Sequence, residues 1–435
     1  MVKMTFDNYE RTLEWMFKQI PMYQRTGKAA YKVDLELTHK IDNHFGHPHQ
    51  RFKSIHVAGT NGKGSVAHML ASVLQAAGYK TGLYTSPHLK DFRERIRING
   101  EKMEKQFVID FIADNKDFFL NVKPSFFEMT VAMAFMYFKQ LNVDVAVIEV
   151  GMGGRLDSTN IINPELTAIT NIGYDHTQFL GDTLGDIAFE KGGTIKDHVP
   201  VIIGETSEYT EKIFKELANA HHSPIYFADQ KYRLAEKQTT RDLLHRFDVI
   251  NGSICSLKDL QTDLLGKYQE KNIVTALRVI DILRERGFVI TEEQLRQGLK
   301  NVNKATGFTG RWFVLSRKPL TICDTGHNRE GLSYTISQLK ELNATALHFV
   351  LGFVNDKNLD TILDLFPHKA QYYFTKANIP RAMDEKALSE KAKAYHLTGG
   401  TYPTVIKALE AAKKNASAND VIYAGGSTFV VSEII

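Results

Sequence analysis

Hydrophobic positions along the 435-residue chain change their period several times, and each change predicts an element. Tyr9, Leu13, Met16, Phe17 and Ile20 recur at helical spacing until Pro21, which predicts an opening helix. A Gly- and His-dotted stretch runs on to Arg51. Ser54–Ala58 is a short apolar run and reads as a buried strand, ended by Gly59-Thr60-Asn61-Gly62. From Lys63 to Ala77 the period is helical again, with Gly78 at the C-cap. Lys80–Tyr84 reads as a second strand and Glu128–Leu141 as an apolar helix. Val143–Val150 is almost continuously β-branched, the pattern of a central parallel strand covered on both faces. Leu166–Asn171 and Val199–Ile203 read as further strands, and Asp263–Arg284 as mostly helix.

Strands alternating with helices imply βαβ units and a parallel sheet. The polar, Gly-containing stretch Asn301–Gly310 reads as a boundary. Beyond it the rhythm resumes, with strands at Leu320–Cys323, Leu347–Gly352, Tyr372–Thr375 and Val421–Ala424. The expected fold class is α/β. A larger N-terminal P-loop-type ATPase domain with a parallel sheet, residues 1–304, precedes a smaller C-terminal Rossmann-like α/β domain, residues 305–435. No tandem repeat or low-complexity tract interrupts this.

Composition narrows the class. Apolar residues make up 43% and charged residues 24%, so the chain can bury large cores and global disorder is excluded. Lys and Arg number 54 against 50 Asp and Glu, a net charge of +4, too slight a bias to point to nucleic acid. Two cysteines, Cys255 and Cys323, exclude a disulfide framework and a Cys-rich zinc module, and fit a reducing compartment. The N-terminal segment has no apolar core of a signal peptide. No stretch reaches the ~20 apolar residues of a membrane span; Phe126–Phe138 is shorter and carries Glu128. The expectation is a cytoplasmic monomer acting on small molecules, without nucleic acid or membrane partners.

Gly59-Thr60-Asn61-Gly62-Lys63-Gly64-Ser65, between a strand and a helix, carries the strongest chemistry. Such a turn aims backbone N–H groups at phosphate, next to a positive helix N-terminus. Lys63 can neutralise the β- and γ-phosphate oxygens, and Ser65 can hold Mg²⁺ through its hydroxyl. The spacing departs from the standard P-loop. Val57 stands where its first Gly belongs, and Gly64 separates Lys63 from Ser65. The bland alternative is an ordinary Gly-rich βα turn.

Other polar residues fall at strand ends, where a parallel sheet opens its ligand crevice. Glu149 ends the Val143–Val150 run, and an acid there is costly unless paired or bound to metal. His176, in Asp175-His176-Thr177, follows the Leu166–Asn171 strand and is a candidate metal ligand, although a lone histidine is more often structural. Ser86 follows Lys80–Tyr84 and offers a hydroxyl; alone it reads as a turn. Lys191 alone reads as a solvated lysine. Asp324 and His327 follow the first strand of the second domain, where a capped helix start is the alternative.

Together these pieces resemble one family. Gly59–Ser65, Thr85-Ser86-Pro87-His88-Leu89 and Glu149-Val150-Gly151-Met152-Gly153-Gly154-Arg155-Leu156-Asp157 occur in its order. So do Asp175-His176-Thr177, Glu190-Lys191, Gly266-Lys267-Tyr268-Gln269 with Asn272, Gly310-Arg311 and Asp324–Asn328. The chain, from about residue 50 to its end, resembles the folylpolyglutamate synthase/dihydrofolate synthase family of the Mur ligase superfamily. Small departures are Tyr268 where the family usually has His, Gly192 where it has Ala, and Gly326 where it has Ala.

The resemblance implies an ATP-dependent ligase. ATP would phosphorylate a carboxylate of bound pteroate or folate, and the amine of L-glutamate would attack the acyl phosphate to give an amide, ADP and phosphate. It implies two Mg²⁺, one held by Ser65 and Glu149 and a second by Ser86, Glu149 and His176. Lys191 matches a position where lysine is carbamylated by CO₂ and supports the second ion. That chemistry requires a neutral amine, hence a lowered pKa. Asn272, Arg311, Asp324 and His327 match ATP contacts. Phe127 matches an aromatic that packs on the pterin, with a core role as the equal alternative, and Asp157 lies in the adjacent substrate loop. Dual activity on dihydropteroate and tetrahydrofolate is the favoured expectation. A muramyl ligase would need an additional N-terminal domain before Gly59. A switch or motor NTPase would show a regular Walker A and no carboxylate acceptor. A non-catalytic nucleotide-binding module would lack equivalents of Glu149, His176 or Lys191.

Overall fold

The computed structural model describes residues 8–20, 34–237, 244–355 and 358–435. Contacts divide it into two units. The first comprises residues 1–238, 246–263 and 271–307, and the second residues 239–245, 264–270 and 308–435. Pro21 and the rest of 21–33 lie outside the described residues, as do 1–7; the opening helix is present as Tyr9–Gln19.

The first unit is built on an eight-stranded sheet. Its strands are β1 (Lys53–Ala58), β2 (Thr81–Tyr84), β3 (Ile96–Ile98), β4 (Glu101–Lys102), β5 (Val145–Glu149), β6 (Leu166–Ile169), β7 (Val201–Ile203) and β8 (Ile225–Phe227), in spatial order β4-β3-β2-β5-β1-β6-β7-β8. From β2 to β8 all pairings are parallel, while β3 and β4 form an antiparallel edge. β1 and β5 are fully buried over nearly their whole length because both faces are covered. Tyr84, Ala146 and Ile148 pack on one side with Met129, Met133 and Phe135 from the helix Phe126–Gln140. Ala58, Ile169 and Ile203 pack on the other with Ala188 and Phe214. Glu128 is buried in that apolar helix without penalty because it completes a capping box: its carboxylate accepts from Ser125 N at 2.6 Å.

Register sets the site. Val57 lies opposite both Glu149 of β5 and Ala168 of β6, and Tyr84 of β2 lies opposite Ile148. The loops that leave β1, β2, β5 and β6 therefore emerge along one edge of the sheet. A three-stranded sheet, β9 (Arg233–Lys237), β10 (His245–Asn251) and β11 (Ile254–Thr262), follows in the chain. Of the stretch Asp263–Arg284, the helix begins only at Gln269 and runs to Glu285, and the polar stretch read as a boundary contains a short helix, Val302–Thr306. Asp263 anchors that helix by accepting from Asn303 N at 2.9 Å.

The second unit is a six-stranded sheet of β12 (Phe313–Arg317), β13 (Leu320–Asp324), β14 (Leu347–Leu351), β15 (Gln371–Thr375), β16 (Gly399–Tyr402) and β17 (Val421–Gly425), in order β12-β13-β17-β14-β15-β16. All pairings but β12–β13 are parallel. Among the described residues, no helix is long and apolar enough to cross a membrane.

Candidate active site

β1 runs straight into the glycine loop, and the helix Lys63–Ala76 starts from it. Gly59 and Gly62 hold φ of +140° and +84°, and each is closely overlaid. A Cβ on Gly59 would stand 1.9 Å from Thr170 Oγ1, and one on Gly62 would stand 2.1 Å from Asn272 Oδ1. Only glycine fits both the backbone angle and the space. Asn272, expected at the nucleotide, thus lies directly across the loop. The helix N-terminus carries no side-chain cap, since Gly62 is its N-cap, and such an end favours an anion. Ser65 is buried in the first turn.

The loop is braced by residues that sequence reading passed over. Thr170 Oγ1 donates to Asn61 O at 2.5 Å, Asn171 Oδ1 accepts from Asn61 N at 2.9 Å, and Thr60 Oγ1 accepts from Gly173 N at 3.0 Å. Thr170 and Asn171 stand at the end of the run read as the strand Leu166–Asn171; the strand stops at Ile169, which frees both to face the loop. Asn171 also donates to Glu205, which pairs with Lys271.

Two lysines meet at this loop. Lys63 Nζ donates to Gly59 O at 2.9 Å and Thr60 O at 3.0 Å. Lys191, from the helix Leu184–Gly192, is buried and donates to the same Gly59 O at 2.9 Å. Burial first, then the charge of Lys63, brings the Lys191 amine down to about 7, partly offset by Asp175 and Asp157. It is not the solvated lysine of the bland reading.

Glu149 ends β5 beneath the loop, only 5% exposed. Its Oε2 accepts from Ser86 N at 3.0 Å, and a Cβ on Gly64 would lie 3.6 Å from its Oε1. The acid, Ser86 and the phosphate loop are thus brought together. Arg95, not singled out from the sequence, is buried nearby: Glu149 and Tyr84 act on its charge, its Nε donates to His88 Nδ1 at 2.7 Å, and its guanidinium lies 5.4 Å from the Phe126 ring centroid. Burial and then Arg95 push the His88 imidazole down to about 3, so it stays a neutral acceptor. His176 sits at φ +52°, partly exposed, with Nε2 3.9 Å from Asp175 Oδ2. Among the described residues no cluster of three or more His, Cys, Asp or Glu forms a ready metal cage. Glu149 with serine hydroxyls is instead the sparse oxygen set that suits Mg²⁺, which completes its shell with water and phosphate.

Asp157 is buried and its carboxylate is turned into its own loop. Oδ2 accepts from Gly151 N and Met152 N at 3.0 Å each, and Oδ1 accepts from Thr159 N at 3.0 Å and Thr159 Oγ1 at 2.5 Å. Those four bonds fill a carboxylate's ordinary capacity. Burial still raises its pKa. Phe127 is half-buried over the same loop: a Cβ on Gly151 would meet its ring at 2.4 Å. Its ring centroid is 6.1 Å from that of Tyr84. It packs on the core and borders the loop at once.

In the second unit, Asp324 ends β13 and is buried. Its Oδ2 accepts from Tyr268 Oη at 2.5 Å and Trp312 N at 2.7 Å, and its Oδ1 accepts from Gly326 N at 2.7 Å. His327 Nδ1 lies 3.1 Å from Thr325 O. Asn328, not Asp324, caps the helix Arg329–Glu341, its Oδ1 accepting from Gly331 N at 2.8 Å. Arg311 lies between Gly310 (φ +80°) and Trp312 (φ +46°).

Comparison with known proteins fits this geometry. The Mur ligase middle domain matches residues 57–280, and the Mur ligase glutamate ligase domain matches 310–428. A folylpolyglutamate synthase of Lacticaseibacillus casei is 32% identical over 393 residues, 87% of this chain and 88% of that protein. A probable bifunctional folylpolyglutamate synthase/dihydropteroate synthase of Haloferax volcanii is 32% identical over 92% of this chain, which spans about half (48%) of that longer protein. The crystal structure of a bifunctional folylpolyglutamate synthase/dihydrofolate synthase of Yersinia pestis, complexed with AMPPNP and a Mn ion, superposes with a TM-score of 0.82 at 26% identity, covering 99% of this chain and 98% of that one.

Proposed function

The chain belongs to the folylpolyglutamate synthase/dihydrofolate synthase family of Mur ligases, and from that premise we propose that it joins L-glutamate to dihydropteroate and to tetrahydrofolates with ATP. The observation that carries this reading is the buried Glu149 carboxylate set against Ser86 N and Gly64 of the phosphate loop. An ATP site needs that juxtaposition of an acid with a phosphate-binding turn.

The γ-phosphoryl group passes from ATP to a carboxylate oxygen of the acceptor, releasing ADP. The glutamate amine then attacks the acyl carbon, loses a proton, and expels phosphate as the amide forms. Phosphoryl transfer asks the protein mainly for positioning and charge neutralisation. The loop N–H groups and the helix N-terminus hold the phosphates, and Lys63 swings from the Gly59 and Thr60 carbonyls to the β- and γ-oxygens. Ser65, Ser86, Glu149, His176 and a carbamate on Lys191 would hold two Mg²⁺, which supply charge neutralisation at the transferred group. AMPPNP and Mn in the Yersinia relative support ATP and a divalent ion. Asn272, Arg311, Asp324 and His327 serve the nucleotide, and Phe127 with the Asp157 loop borders the pterin.

The test is incorporation of labelled L-glutamate by purified protein with ATP and Mg²⁺, offering 7,8-dihydropteroate and tetrahydrofolate in parallel. Label on both acceptors is expected, and Lys63→Ala should lower turnover by at least about a hundredfold. ATP hydrolysis without label on either acceptor overturns the folate reading.

A further inference from the structure

Asp324 collects donors from three separate segments of the second unit: the Tyr268 hydroxyl, the Trp312 N–H and the Gly326 N–H. A carboxylate has about four acceptor positions, so three are spent on the protein itself. The two N–H groups belong to residues beside Arg311 and beside His327. Thr325 N closes the same knot by donating to Gly310 O at 2.9 Å. Arg311 is therefore flanked by two left-handed residues, Gly310 at φ +80° and Trp312 at φ +46°. A tryptophan holds that conformation only where its surroundings over-determine it. The bond to Asp324 and burial of the indole in the core do so.

Tyr268 steadies the carboxylate through the same Oδ2 that takes the Trp312 N–H. It makes the shortest of the three bonds, and room for its ring is kept by Gly266, where a Cβ would stand 2.6 Å from it. Burial and then the charge of Asp324 hold the phenol well above its ordinary range, so it remains a donor. A bond from a neutral donor to a charged acceptor is among the stronger ones.

We infer that Tyr268 is a positioning residue that acts through Asp324 to fix Arg311 and His327 for the nucleotide. This rests on the reading of these residues as ATP contacts. Tyr423 provides the control. It is more deeply buried than the half-buried Tyr268, and its hydroxyl reaches the backbone carbonyl of Asp324 at 3.4 Å rather than the carboxylate.

The experiment compares wild type, Tyr268→Phe, Tyr423→Phe, Asp324→Asn and the Tyr268→Phe/Asp324→Asn double variant. Read-outs are ATP Kd by calorimetry, ATP KM and kcat in the glutamate assay, and Tm. Tyr268→Phe should weaken ATP binding and raise KM roughly tenfold, with a smaller change in kcat, while Tyr423→Phe stays within about twofold. The double variant should bind ATP no more weakly than Asp324→Asn, because the two residues act as one unit. Equal ATP affinity in Tyr268→Phe and Tyr423→Phe overturns the inference, whatever happens to Tm. So does a double variant weaker than Asp324→Asn by the full Tyr268→Phe factor. If wild type binds ATP yet transfers no glutamate, the folate reading fails, and the Kd comparison still decides the role of Tyr268.

Discussion

Lys63 and Lys191 aim their ammonium groups at one backbone oxygen, the carbonyl of Gly59, at 2.9 Å each. Burial first, and then the neighbouring cation on the same acceptor, draw Lys191 down to about 7. So lowered, it presents far more readily than an ordinary lysine the free amine, the form that attacks CO₂. Carbamylation would replace a like charge beside Lys63 with an opposite one.

The first prediction is a CO₂ requirement. Enzyme freed of CO₂ should lose most of its ligase activity and regain it on adding bicarbonate. Intact-mass analysis of fresh protein should show one bound CO₂, absent in Lys191→Ala. Full activity with an unmodified lysine removes the carbamate from the mechanism.

Lys191 also sets a pH dependence of stability. In CO₂-free buffer the unfolded lysine, at 10.5, binds its proton more tightly than the folded one at about 7. The unfolded state therefore holds more protons between these values, and stability rises with pH across that window. The burial penalty is fully present below pH ~7, on the order of a few kcal/mol. Lys191→Met should be more stable than wild type at pH 6, with the advantage shrinking toward pH 10. Melting curves at several pH values check this; parallel curves for the two proteins contradict it.

Glu149→Gln keeps the shape of the side chain and its acceptor for Ser86 N but removes the charge. ATP turnover should drop by about a hundredfold or more, and the Mg²⁺ concentration for half-activity should rise. Excess Mg²⁺ should restore the rate only in part. A wild-type rate at ordinary Mg²⁺ takes Glu149 out of the metal shell.

Asp157→Asn turns an NH₂ toward donors now satisfied by a carboxylate. The Gly151 and Met152 N–H groups, or Thr159, would lose their partner, costing about 2 kcal/mol. Both Tm and the KM for the pterin substrate should worsen, because the loop loses its frame. A KM effect with unchanged Tm would mean that Asp157 serves the substrate directly.

How far the sequence reached depends on the element. Apolar runs reported β1, β5, β6 and β7 within a residue or two, because strands covered on both faces must be apolar throughout. It did not reveal β9 to β11. Their residues are largely half-exposed or exposed, and Arg233–Lys237 is mostly polar, so burial leaves little trace there. Asp263–Arg284 reads as mostly helix and is helical from Gln269, while its first residue anchors another helix.

The glycine loop was legible because its chemistry is contiguous: glycines, a lysine and a serine within seven residues of a strand end. Lys191 stands 132 residues from Gly59, and nothing in Glu190-Lys191-Gly192 by itself distinguishes a buried amine from a solvated one. Residue types and local spacing thus determined the phosphate loop, the strand ends and the class of chemistry. Only the tertiary structure decided that Lys191 is desolvated beside a second cation, that Thr170 and Asn171 brace the loop, and that Asp157 and Asp324 spend their carboxylates largely on backbone N–H groups. Burial, charge proximity and hydrogen-bond saturation depend on which distant segments the sheet register brings to one edge, and no single stretch of chain encodes them.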